Sequence, residues 1–196
     1  MNKLEILRKH LKLKVDISDS DFNKFIELTE RVKLTKGEMF IREGRVAKHQ
    51  AFLLSGVMGA YNVDPKGEKH ILQIAIEGHW ISDLYSYLSK EPAVYNVEVL
   101  TDAEVLTLTK ENFDRACDEI PIFDRFFRLL IQNGFIHQQK RITNIYSESA
   151  EQRYLNLVKE KPEIVQSVPQ HYLASFLGIK PQSLSRIRKS IADNSK

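Results

Sequence analysis

Gln170-His171-Tyr172-Leu173-Ala174-Ser175-Phe176-Leu177-Gly178-Ile179-Lys180-Pro181-Gln182-Ser183-Leu184-Ser185-Arg186-Ile187-Arg188-Lys189 reads as two short helices folded across a tight turn. Ala174 is small enough to let a second helix cross the first closely. Gly178 accepts the positive φ of a sharp turn, and Ile179 anchors that turn with an apolar side chain. Pro181 suits the first turn of the second helix, where its missing N–H costs nothing. In that helix Leu184, Ile187 and Ile191 recur at helical spacing and face inward, while Gln182, Ser183, Arg186 and Lys189 share the opposite side. Gln and Arg are side chains that pair bidentately with adenine and guanine edges. Lys180, Ser183, Ser185, Arg188 and Lys189 suit phosphate contacts. The competing reading is a helical hairpin with a solvated polar face. Small residue, turn glycine, inward apolar triplet and basic outer face together favour a helix-turn-helix that contacts double-stranded DNA.

The charge distribution agrees. The 196 residues carry a net charge of +3. Residues 1–147 hold 21 Lys/Arg and 21 Asp/Glu, so the whole excess lies in residues 148–196, with eight basic and five acidic side chains. A neutral body with a basic tip is what an electrostatic nucleic-acid contact requires. No apolar run approaches the roughly 18 residues of a membrane span. The start, MNKLEILRKHLKLK, mixes charged and apolar residues unlike a signal peptide, so a cytoplasmic location and no membrane partner are expected. Cys117 is the only cysteine, which leaves no intramolecular disulfide and no all-Cys metal cluster.

Upstream, Leu4, Leu7 and Leu11, then Phe22, Phe25 and Ile26, fall at helical spacing and predict two short helices. From Val32 to about Leu108 the pattern changes. Gly37, Gly44, Gly56, Gly67 and Gly78 punctuate short runs such as Ala51–Leu54, Val57–Val63 and Ile71–Ile76, which predicts a β-sandwich or barrel of short strands. Asp64-Pro65-Lys66-Gly67 is a turn. Thr109 can cap a further helix, and Pro121 starts or interrupts the next segment.

No proline occurs from Ile122 to Ile145, a span of about 36 Å as a helix. Phe123, Phe127, Ile131, Gly134, Ile142 and Ile145 form a seam at spacing of three to four, interrupted by Gln138 and Arg141. That length exceeds what a small domain needs to cover, so a homodimer through this helix is expected. The alternative is an amphipathic helix lying on its own domain. The organisation expected is α+β: a β domain with N-terminal helices over residues 1–121, a dimerisation and connector helix over 122–146, and the helix-turn-helix unit over 147–196.

In this order and spacing the chain resembles the Crp/Fnr family of regulators. The matches are Phe40-Ile41-Arg42-Glu43-Gly44, Phe52-Leu53-Leu54-Ser55-Gly56, the turn at Lys66-Gly67 and the final helix pair. The resemblance implies a double-stranded, jelly-roll-like β-roll sensor, a homodimer, a short winged-helix-like C-terminal unit and a palindromic operator, with RNA polymerase as a further partner. It places the family's base-reading positions on Pro181, Gln182 and Arg186, of which Pro181 cannot make a polar contact. The effector pocket departs from the family's pattern. Its Gly-Glu-Leu becomes Ser82-Asp83-Leu84, and its Arg-Ser pair becomes Ala93-Val94, with no Lys or Arg from Glu91 to Thr109. A buried phosphate lacking a cation is costly. Cyclic AMP is therefore not expected to bind, and the effector is unknown. The clustered cysteines of the iron–sulfur sensors in the family are absent, and no cofactor is expected.

Two rival readings differ in class. A cupin-like metal enzyme needs a His-x-His pair beside a carboxylate, but His49, His70 and His79 are isolated in sequence, so no metal site is expected. No phosphate loop or nucleophile elbow occurs, so no catalytic residue is assigned and no enzyme is expected. The other rival is a cyclic-nucleotide-binding-like sensor or interaction protein without DNA-binding activity.

Overall fold

The computed structural model describes residues 3–194. Two amphipathic helices open the chain. Helix α1 (Leu4–Lys12) buries Leu7 and Leu11. Helix α2 (Asp19–Glu27) buries Phe22 and Phe25 and starts where Ser18 Oγ accepts the Asp21 amide, relieving one of the unpaired N–H groups of a helix start.

An antiparallel sheet follows: β1 (Glu30–Leu34), β2 (Met39–Ile41), β3 (His49–Val63), β4 (Lys69–Ala75), β5 (Trp80–Ile81) and β6 (Asn96–Thr109). Its order is β1-β6-β3-β4, with β2 also on β6 and β5 also on β3. The sequence predicts separate strands at Ala51–Leu54 and Val57–Val63, but they form one 15-residue strand. Gly56 bends that strand instead of ending it. Its φ is +89°, the pairing with β6 shifts register on both sides, and a Cβ there would meet the Asp102 carbonyl at 2.5 Å.

Alternation along β3 splits the core into layers. Leu53 and Met58 point into the sheet with Val97, Val99, Val105 and Tyr87. Phe52 and Leu54 point the other way, into the side chains of α1, α2 and the start of α5. Each such fully buried apolar side chain stabilises the fold by about 1.5–3 kcal/mol.

The remaining helices are α3 (Leu84–Ser89), α4 (Lys110–Glu119), α5 (Pro121–Ser147), α6 (Ala150–Glu160), α7 (Pro162–Ser167), α8 (Gln170–Phe176) and α9 (Pro181–Asn194). The Thr109 hydroxyl caps α4 through the Asn112 amide, as its sequence position predicts. Among the described residues, no strand follows α9. A third apolar layer is shared. Val57, Tyr61, Ile71, Ile74 and Leu100 of the sheet pack with Tyr154, Ile164, Leu173, Ala174 and Leu184 of the C-terminal helices.

The long helix has two unlike halves, which corrects part of the expected seam. Phe123 and Phe127 are 0% and 2% exposed, inside the chain's own core. Phe123 stacks on Phe25 at 3.9 Å between ring centres, and Phe127 lies 4.6 Å from Phe113. They are unavailable to a partner because α1, α2 and α4 already cover them. From residue 131 the helix leaves that core: Ile131, Ile142 and Ile145 are exposed, and Gly134 faces open space. Phe135 and Ile136, absent from the expected seam, are exposed too, at 63% and 60%.

Candidate nucleic-acid interface and sensor turn

Helices α8 and α9 meet across the turn that the sequence predicts. Ala174 is fully buried where the helices cross, and Gly178 sits at φ +71° with nothing within 4 Å of a built Cβ. Conformation, rather than crowding, is therefore what calls for glycine there. The Ile179 amide donates to the Ala174 carbonyl, and its half-buried side chain packs on the shared apolar layer. Pro181 is the first residue of α9. Leu184 is fully buried, with Ile187 and Ile191 half-buried against the same layer.

The opposite face of α9 is open. Gln182, Ser185, Arg186, Arg188 and Lys189 are exposed, as is Lys180 before the helix, and Ser183 is half-buried. Among the described residues, Arg186 makes one hydrogen bond, a long one of 3.4 Å to Ser183 Oγ, and no carboxylate pairs with any of these cations. Their charge therefore projects into solvent.

Two arginines outside this set hold the helix pair in place. Arg153 of α6 donates to the Leu177 carbonyl at the end of α8 and to the Glu148 carbonyl at the end of α5. Arg141 of α5 donates to the carbonyls of Ile71, Leu72 and Phe176. The sequence offers one hint of the latter, since Arg141 breaks the apolar seam; nothing in the pattern marks Arg153.

The predicted sensor turn spends its polar groups on itself. Asp83 is fully buried and caps α3 by accepting the Ser86 amide at 3.1 Å, while its other oxygen accepts the Val94 amide at 2.8 Å. Ser82 Oγ donates to the His49 carbonyl, and the Tyr95 hydroxyl, its pKa pushed up by burial, donates to the Ser82 carbonyl. Ala93 is buried and its backbone bonds to Gly44 and Arg45. Leu84 packs on the sheet interior, and Val94 is half exposed. Cations do lie nearby: Arg42, Arg45 and Lys48 line an open cleft of about 260 Å³ with Met39, Phe40 and Val46. They come from the β2–β3 loop, which the sequence comparison over residues 91–109 does not cover.

One of the β-region histidines is not isolated in space. Ligand atoms of Asp64, Glu68 and His70 fall within 4.8 Å of one another on the β3–β4 turn. Asp64 already organises that turn, accepting from the amides of Lys66 and Glu68 and meeting His70 Nε2 at 3.0 Å, contacts that hold its carboxyl below the ordinary range. His10 is caged between Phe52 and Phe126, and burial lowers its pKa to about 4. No helix among the described residues is long and apolar enough to cross a membrane.

Residues 31–119 match the family model described as cyclic nucleotide-binding domain. No curated protein sequence matches the chain. Among solved structures, FixK2 from Bradyrhizobium japonicum superposes with a TM-score of 0.76 at 13% identity, covering 85% of this chain and 86% of that one. The c-di-GMP responsive global regulator CLP of Xanthomonas campestris gives 0.69 at 13% identity, covering 91% and 93%. The Thermus thermophilus catabolite activator protein gives 0.59 at 14% identity, covering 91% and 85%. The chain thus carries a cyclic-nucleotide-binding-type domain over residues 31–119 and has, along most of its length, the fold of these regulators.

Proposed function

We propose that this chain is a homodimeric, sequence-specific DNA-binding transcription regulator of the Crp/Fnr type, acting in the cytoplasm and without enzymatic activity. The observation that carries the reading is the outer face of α9, where Gln182, Arg186, Arg188 and Lys189 stand exposed with no carboxylate partner among the described residues while Leu184 anchors the helix inside. In the major groove Gln182 and Arg186 face base edges, and Lys180, Ser183, Ser185, Arg188 and Lys189 hold the phosphates. The alternative, a sensor without DNA-binding activity, leaves that open cationic face unexplained.

A second copy is placed along α5. Ile131, Phe135, Gln138, Ile142 and Ile145 follow steps of four, three, four and three, the spacing of a coiled-coil seam with one polar position. Exposed aromatic and branched side chains on a helix uncovered over residues 131–140 support that partner. RNA polymerase is the further partner of a regulator that activates. The effector is not cyclic AMP, since the turn at residues 82–94 offers it a buried carboxylate, Asp83, while its one cation, Lys90, is exposed.

A two-fold dimer reads half-sites about 34 Å apart on one face of the duplex. Selection from random-sequence DNA by the purified protein should return an inverted repeat, and inserting five base pairs between its halves should abolish tight binding. Recovery of no preferred sequence would refute the reading.

A further inference from the structure

We infer that Arg141 is a positioning residue that fixes the orientation of the helix-turn-helix on the sensor sheet, and so sets the spacing of half-sites the dimer accepts. The inference rests on the reading of α9 as the DNA-reading helix. Strand β4 lies at the edge of the sheet, so its outward N–H and C=O groups have no neighbouring strand. The C-terminal unit supplies their partners. The Ile71 amide donates to Ser175 Oγ at 3.0 Å, and the Ser175 hydroxyl donates to the Lys69 carbonyl at 3.0 Å. Arg141 closes the junction from the third side. Its guanidinium donates to the Ile71 and Leu72 carbonyls of β4 and to the Phe176 carbonyl at the end of α8, and it lies 4.3 Å from the centre of the Phe176 ring. No carboxylate pairs with it among the described residues, so backbone dipoles and one aromatic face carry the whole charge.

One side chain thus ties the dimer helix, the sheet edge and the first helix of the helix-turn-helix. A planar fork of donors is what three carbonyls on two elements require, and a lysine cannot reproduce it. Released from this contact, the pair α8–α9 keeps its exposed cations and its apolar layer on the sheet, but its angle to α5 is held less tightly. Phosphate contacts survive such pivoting. Two base-reading helices held one helical turn apart do not.

The test uses the full-length protein with Arg141→Met and Ser175→Ala. The probes are a duplex selected by the wild-type protein, a random duplex of equal length, and the selected duplex with one base pair added or removed between its halves. Arg141→Met should weaken binding of the selected duplex about tenfold. It should leave the random duplex within about twofold and shrink the penalty for changed spacing. General destabilisation would instead weaken both duplexes together, and that result would overturn the inference. So would an unchanged affinity ratio and spacing penalty. Hydrogen exchange at the Ile71 amide provides a readout without DNA: faster exchange in both variants supports the junction, and unchanged exchange overturns it. Should the wild-type protein select no sequence, the DNA reading fails by itself and this exchange measurement still decides the role of Arg141.

Discussion

The turn at residues 82–94 and the helix pair at residues 170–194 treat their polar groups in opposite ways. In the first, Asp83, Ser82, Ser86 and Tyr95 are consumed by internal hydrogen bonds, and the buried carboxylate caps a helix. In the second, the apolar side is buried and the cations are left to solvent. Polar groups satisfied within the fold stabilise it, whereas those without internal partners are free to meet a ligand. On the proposed reading the C-terminal unit is the working surface, while the polar groups of the turn at residues 82–94 hold that turn together.

The contrast extends along α5, where the first turns are packed and residues 131–140 bare, and there the largest effect is expected. Phe135→Asp places a charge in the proposed seam. It should convert the dimer to monomer at micromolar concentration in sedimentation, with the folded content by circular dichroism unchanged. Phe123→Asp should instead unfold the sensor, because that ring belongs to the chain's own core. A dimer that survives Phe135→Asp would remove the assigned interface.

Asp83→Ala sharpens the reading of the sensor turn. It strips the Ser86 and Val94 amides of their shared acceptor and should cost about 2–4 kcal/mol in denaturant unfolding. Calorimetric titration of the wild-type protein with cyclic AMP should show no binding. A near-neutral Asp83→Ala together with micromolar cyclic AMP affinity would mean that the carboxylate is kept for a ligand.

A smaller effect concerns the helical cover of the sheet. His10 sits between two phenylalanine rings, its Nε2 buried with no partner among the described residues, and burial holds its pKa at about 4, below the ordinary 6.5. The unfolded chain therefore takes up this proton first. Stability is full above pH 6.5 and falls as pH drops toward 4, by about 1–2 kcal/mol once solvent screening is allowed for. His10→Phe should flatten that decline, apart from the share due to neighbouring His79, itself lowered by burial. An unchanged melting-temperature profile from pH 7 to pH 4 would contradict the assignment.

The legibility of the sequence follows from how local each signal is. The helix-turn-helix is read from neighbours within 20 residues, and the positions of α9 lie where 3.6-residue spacing puts them except Ser183, half-buried rather than open. The α5 seam is only half legible. Spacing shows that Phe123, Phe127 and Ile131 share a face, but not that α2 already stacks on Phe123. The break at Gly56 misreads for a related reason, since a positive φ marks a turn and a bulge alike. Arg141 and Ser175 act on β4 from 69 to 106 residues away, a relation that no local pattern carries.

Whether Arg186 of α9 reads bases while Lys189 holds the phosphates is decided by comparing Arg186→Ala with Lys189→Ala on a selected operator and a random duplex across a salt series. Arg186→Ala should lose about 1–3 kcal/mol of discrimination at one position of each half-site and change the random duplex little. Lys189→Ala should weaken both duplexes alike and lower the slope of log affinity against log salt by about one. If Arg186→Ala leaves base preference intact, or if both variants weaken both duplexes equally, α9 is not the reading helix.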